Sequence, residues 1–226
     1  MSGKATRSEL WAAIGEERER LGADLLGLDP AQWHSPSLVP DWTVRDEVGH
    51  LAGLWKYYRP RPTAPLTILR HGRGVHEYLT EEARRTGREQ STDALAAAVA
   101  RAPWWHPVPQ FPLGEVILHG QDIRRPLGLS HGIPTQHLAI VADFLLWPGP
   151  QLFYPYFGRR RLSGARLEAT DADWKHGAGP LVRGPLEALV MAMAGRQSAL
   201  AELDGEGVPL LGQDPRPRST TDRPGN

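Results

Sequence analysis

The stretch Glu115-Val-Ile-Leu-His119-Gly-Gln-Asp-Ile-Arg-Arg-Pro126 sets a carboxylate and an imidazole four residues apart among apolar neighbours. On a helix, residues i and i+4 share a face with Cβ atoms roughly 5–6 Å apart. Glu115 and His119 can therefore grip one cation together or form a salt link with each other. A buried carboxylate between Val, Ile and Leu needs a charge partner or a metal. A second stretch, Trp42-Thr-Val-Arg-Asp-Glu-Val-Gly-His50-Leu, reads as a helix capped by Thr43, with Asp46 in the capping-box position and His50 about two turns in. His50 is either a core histidine or a third ligand. Two His and one Glu are a ligand set of catalytic zinc sites, with one coordination position left open.

Working outward, residues 7–28 space Leu10, Trp11, Ile14, Leu21, Leu25 and Leu28 as one face of an amphipathic helix. Pro30, Pro36 and Pro40 keep the following stretch in loop form before the Thr43 helix. A proline-rich linker at 59–65 precedes a third helical region at about 66–86, and Ser91 caps a short Ala-rich helix to about 101. Pro112 suits the first turn of the helix carrying Glu115 and His119, because its missing N–H would be unpaired there anyway. That helix spans about 113–124 and stops at Pro126-Leu-Gly128; another runs over 134–147. The pattern then shifts. Residues 161–170 and 181–183 read as strands, 184–203 as a helix and 208–211 as a final short strand. The expected fold class is α+β: a helical bundle over 1–155, a small α/β domain over 156–212, and a disordered tail over 213–226.

Composition narrows the function. The 226 residues carry 26 basic and 26 acidic side chains, which disfavours a nucleic-acid binder. No apolar run approaches the ~20 residues of a membrane span, and the N-terminus lacks the apolar core of a signal peptide, so a cytoplasmic protein is expected. With no cysteine, a cysteine nucleophile and thiolate metal sites are excluded, and any thiol chemistry must use a thiol from outside. Arginine far outnumbers lysine, a bias read here as the mark of a GC-rich genome.

Both long motifs, together with Ala169-Thr-Asp-Ala-Asp-Trp174, Val182-Arg-Gly-Pro-Leu-Glu-Ala-Leu189 and Ala194-Gly-Arg196, resemble the mycothiol-dependent maleylpyruvate isomerase family of the DinB-like superfamily. The resemblance spans nearly the whole chain to about residue 211. It implies an N-terminal DinB-like four-helix bundle and a divalent metal, most often zinc, on His50, Glu115 and His119. It also implies mycothiol, the small thiol of actinobacteria, as cofactor. The implied activity is addition of that thiol to a small electrophile, ending in isomerisation or in S-transfer. A metal hydrolase and a non-catalytic binding protein are the rival readings, and the chain is expected to be a monomer or homodimer. Arg124 and Arg125 are candidates to bind a carboxylate of mycothiol or substrate, or else to cap their helix through its dipole. Arg196 resembles a position from which the family sends an arginine toward the active site. Asp46 and Asp122 can accept a hydrogen bond from a ligating imidazole or serve as a cap or salt link. Trp104 and Trp105 are candidate pocket walls, and Trp33 and Trp42 are assigned to packing.

Overall fold

The computed structural model describes residues 5–58, 75–101, 106–147 and 164–212. The 59–65 linker, the start of the expected third helix, Trp104, Trp105 and the tail from 213 lie outside the described residues. The chain divides into two compact units, residues 1–132 and 133–226.

The first unit is helical. Helix α1 (Arg7–Leu26) opens on a full capping box, with Thr6 and Glu9 satisfying each other's backbone amides. It buries Leu10, Ile14, Leu21 and Leu25 as one stripe. Helix α2 (Val44–Tyr58) begins where Asp46 Oδ2 accepts from Thr43 N and Oγ1, each at 2.9 Å. Asp46 is thus a capping residue. Helix α3 (Val75–Glu89) and helix α4 (Thr92–Ala100) follow with two residues between them, and Ser91 Oγ caps α4 at Ala94 N. Helix α5 (Gln110–Leu127) completes the unit. α2 packs chiefly on α3 and α1 on α4, while α5 meets both α1 and α2.

Close approach between α2 and α3 rests on glycine. A Cβ at Gly49 would overlap Ala83 O and stand 2.8 Å from Gly87 N, so only a residue without a side chain fits between these backbones. Helix α5 extends beyond its expected limits at both ends. Pro112 sits in its first turn as anticipated, and Pro126 is carried inside the last turn; the stop is Gly128, left-handed at φ 68°. Pro126 has no N–H to donate back to Asp122 O. Instead that carbonyl accepts from Leu38 N at 3.2 Å, fastening the loop before α2 to α5.

The second unit holds helix α6 (Thr135–Leu146), a sheet of β1 (Arg166–Ala169), β2 (Lys175–Gly177) and β3 (Leu181–Gly184), helix α7 (Leu186–Met193) and helix α8 (Val208–Leu211). Strand order is β2-β1-β3, antiparallel for β1/β2 and parallel for β1/β3, with Leu167 opposite both His176 and Val182. α7 packs on α6 and on the sheet. The division falls after Gly132 rather than near 155, and α6, read from sequence as part of the first domain, packs with α7 in the second unit. The expected 184–203 helix ends at Met193 because the chain turns at Gly195 (φ 90°); a 3-10 stretch, Gln197–Glu202, follows. The expected strand at 208–211 is a helical turn, for Pro209 has a fixed φ and no N–H, which suits a first turn. No described helix is long and apolar enough to cross a membrane.

Candidate metal centre

Helices α2 and α5 bring His50, Glu115 and His119 to one point. Glu115 Oε2 lies 3.1 Å from His50 Nε2 and 3.5 Å from His119 Nε2. All three ligand atoms fall within 4.8 Å of one another. Tetrahedral zinc with bonds of about 2.0–2.2 Å separates neighbouring ligand atoms by roughly 3.3–3.5 Å. The two distances lie near that edge and the third is within 4.8 Å, so the three atoms are close enough to share one cation. Each side chain is mostly buried, His50 at 8%, Glu115 at 13% and His119 at 15% exposure.

Two further carboxylates stand behind His119. Its Nδ1 lies 2.8 Å from Glu47 Oε2 and 3.2 Å from Asp122 Oδ2, both at ion-pair distance but off the ring N–H axis. Glu47 and Asp122 are fully buried. Glu47 Oε1 accepts a 2.9 Å hydrogen bond from Ser37 Oγ, in the loop that Pro126 helps to dock. Three carboxylates against two imidazoles leave the cluster acidic, a charge that a divalent cation would offset. His50 Nδ1 is buried with no hydrogen-bond partner.

The electrostatics follow from this packing. Burial alone would raise the Glu115 carboxyl, but the His119 and His50 imidazoles outweigh it and hold Glu115 well below the usual carboxylate range. Burial alone would lower the His119 imidazole. Glu47 chiefly, with Asp122 and Glu115, reverses that and pushes it well above the ordinary value. Trp42, 5% exposed, stacks near-parallel to the His119 ring at 6.4 Å and meets His50 edge-on at 5.5 Å. It therefore walls the cluster as well as packing the core.

The arginines are placed differently. Arg124 is 1% exposed, and its Nε donates to Asp24 Oδ2 at 2.6 Å, tying α5 to α1. The guanidinium is buried while its partner Asp24 is partly exposed, and Arg124 Nη2 is buried without a hydrogen-bond partner. Arg125, the next residue, is half-buried. Arg196 belongs to the second unit, half-buried at the start of the 3-10 stretch, and its Nη1 donates to Ala194 O at 2.8 Å. Sequence reading passed over Glu47. The available signal was its position three residues before His50, on the same face of α2.

Residues 14–124 match the family model described as the mycothiol maleylpyruvate isomerase N-terminal domain. Two solved structures resemble the chain. The mycothiol-dependent maleylpyruvate isomerase aligns with TM-score 0.55 at 16% identity, and a variant of it with one histidine replaced by alanine aligns at 0.51 and 17%. Both alignments cover 94% of this chain and 96% of the other. At that identity the likeness establishes a shared fold. No curated protein matches by sequence.

Proposed function

Through residues 14–124 the chain belongs to the mycothiol maleylpyruvate isomerase family, and from that premise we propose that it is a metal-assisted enzyme using mycothiol on a small conjugated electrophile, as an isomerase of the maleylpyruvate type. The observation that carries this reading is the convergence of His50 Nε2, Glu115 Oε2 and His119 Nε2 inside that family's domain. His50, Glu115 and His119 would hold the divalent ion. When bound, such an ion supplies Lewis acidity that favours the thiolate form of a thiol beside it.

The chain's own residues do the rest. Having no cysteine, the protein takes its sulfur nucleophile from the cofactor. Glu47 and Asp122 fix the edge of His119 remote from Glu115, and Trp42 keeps water from one side of both imidazoles. Bound mycothiol would supply a thiol for reversible addition to the conjugated alkene, whose double-bond character is lost while the adduct lasts. Rotation and departure of the same thiol would then return the isomer with atoms and charge balanced. Retention of the adduct would make the same site an S-transferase. Arg125 is the arginine we assign to a carboxylate of the cofactor or substrate, and Arg196 is retained as a candidate catalytic residue for substitution.

The test is turnover of maleylpyruvate by zinc-loaded protein with and without mycothiol, with mass spectrometry for thiol adducts. Mycothiol-dependent isomerisation is expected. Equal rates without the thiol would overturn the proposal in favour of water activation at the same ion, and no turnover of any electrophile would favour a binding protein.

A further inference from the structure

The buried pair formed by Glu47 and His119 goes beyond the ligand set. Glu47 Oε2 and His119 Nδ1 face each other at 2.8 Å, and neither atom has an aligned hydrogen-bond partner. Asp122 Oδ2 stands farther from the same nitrogen, at 3.2 Å, and comes from His119's own helix. Glu47 instead comes from α2, the helix of His50, so its contact crosses between the two helices that build the site. Its second oxygen is anchored by Ser37 Oγ at 2.9 Å. An imidazole bound to a cation through Nε2 carries its proton on Nδ1, and a carboxylate at Nδ1 fixes that tautomer and the ring's orientation while strengthening Nε2 as a ligand.

We propose that Glu47 is a positioning residue: a buried carboxylate whose charge, 2.8 Å from His119 Nδ1, favours the Nδ1–H tautomer and so presents Nε2 toward Glu115 and His50. Ser37 holds Glu47 in place, and Asp122 adds a weaker contact to the same edge. The inference rests on the metal reading of His50, Glu115 and His119, and its test separates the two.

Zinc affinity of the full chain is measured by competition with a chelating dye for the parent and for Glu47→Gln, Asp122→Asn and Ser37→Ala, each checked for helicity by circular dichroism. The His119 N–H proton is followed by NMR in zinc-loaded and in chelated protein. Glu47→Gln should keep the fold, weaken zinc by about 10- to 100-fold and move the His119 Nδ1–H resonance upfield. Asp122→Asn should do less, and Ser37→Ala, which releases the anchored oxygen of Glu47, should weaken zinc several-fold, though by less than roughly tenfold, and shift the same resonance. Parent-like affinity and an unmoved resonance in Glu47→Gln would overturn the proposal. So would a larger loss in Asp122→Asn, or a second zinc per chain that Glu47→Gln removes, since Glu47 would then be a ligand. If the parent takes no zinc, the metal reading fails, and the resonance in the chelated protein still decides whether Glu47 holds the ring. Should Glu47→Gln not fold, Ser37→Ala carries the test: no change in affinity or in the resonance overturns the assignment.

Discussion

Replacing Gly49 with alanine should damage the metal site without touching a ligand. The new Cβ would stand 2.8 Å from Gly87 N and overlap Ala83 O. Ordinary contact to a Cβ begins near 3.4 Å, so α2 and α3 must separate by more than the roughly 0.6 Å that Gly87 N alone requires, because both obstacles are backbone and Ala83 O is the nearer. Overpacking of this kind costs about 1–3 kcal/mol. Alanine returns about 0.8–1 kcal/mol of helix propensity, leaving a net loss of up to roughly 2 kcal/mol. His50 is the next residue, and its Nε2 is only 3.1 Å from Glu115 Oε2; moving α2 by that amount should reduce zinc affinity about tenfold. Urea unfolding followed by far-UV circular dichroism reads the first effect, and dye competition reads the second. Gly15→Ala is the control: a Cβ there meets nothing within 4 Å, so that variant should gain roughly the propensity increment of 0.8–1 kcal/mol. A Gly49→Ala protein as stable as the parent, with unchanged zinc affinity, would refute the reasoning.

Other expectations concern the charges. Alanine at His50, Glu115 or His119 should lower bound zinc from about one per chain to none, measured by elemental analysis, while helicity persists; a variant that keeps its metal removes that residue from the ligand set. In chelated protein, stabilisation by His119 should be complete below its ordinary value of 6.5 and fade as pH rises through its raised folded value. That from Glu115, whose value is depressed, should hold above its ordinary 4.5 and fade as pH falls. Thermal melts should therefore peak between these limits, and His119→Gln should flatten the alkaline limb. Asp24→Asn, which removes the charge partner of the buried Arg124, should cost about 1.5–3 kcal/mol in denaturant titrations. It should leave mycothiol affinity unchanged, and a large loss of that affinity with stability intact would return Arg124 to the cofactor.

Local signals were readable where one short segment contains the whole physical cause. Thr43 with Asp46, and Ser91 ahead of Ala94, are caps complete within four residues. Glu115 and His119 are one turn apart, so helical periodicity alone makes them neighbours. Glu47 was easy to pass over for the opposite reason, although it lies one turn before His50. In the first turn of α2, beside Asp46, it looks like another dipole-favoured surface acid, and only the packing of α5 reveals it as buried. Arg124 and Arg125 are adjacent and alike in sequence, yet a helix turns successive residues by about 100°, sending Arg124 into the bundle and leaving its neighbour half-buried. β2 escaped notice because all three of its residues are exposed, which erases the alternation that marks a half-buried strand. The early boundary has a similar origin: Pro148 marks where α6 ends but carries no information about which helix it packs against.

Pro126 gives α5 a property that a regular helix lacks. Along an unbroken helix interior every carbonyl is claimed by the amide one turn later, so an approaching loop finds no preferred height at which to attach. Omitting a single amide leaves one socket, at Asp122, and the plug is Leu38. Asp122 also turns its carboxylate toward His119. One residue thus indexes the incoming loop to the same rung of the helix that faces the ligand, and what looks like a flaw in the helix works as the site's alignment mark.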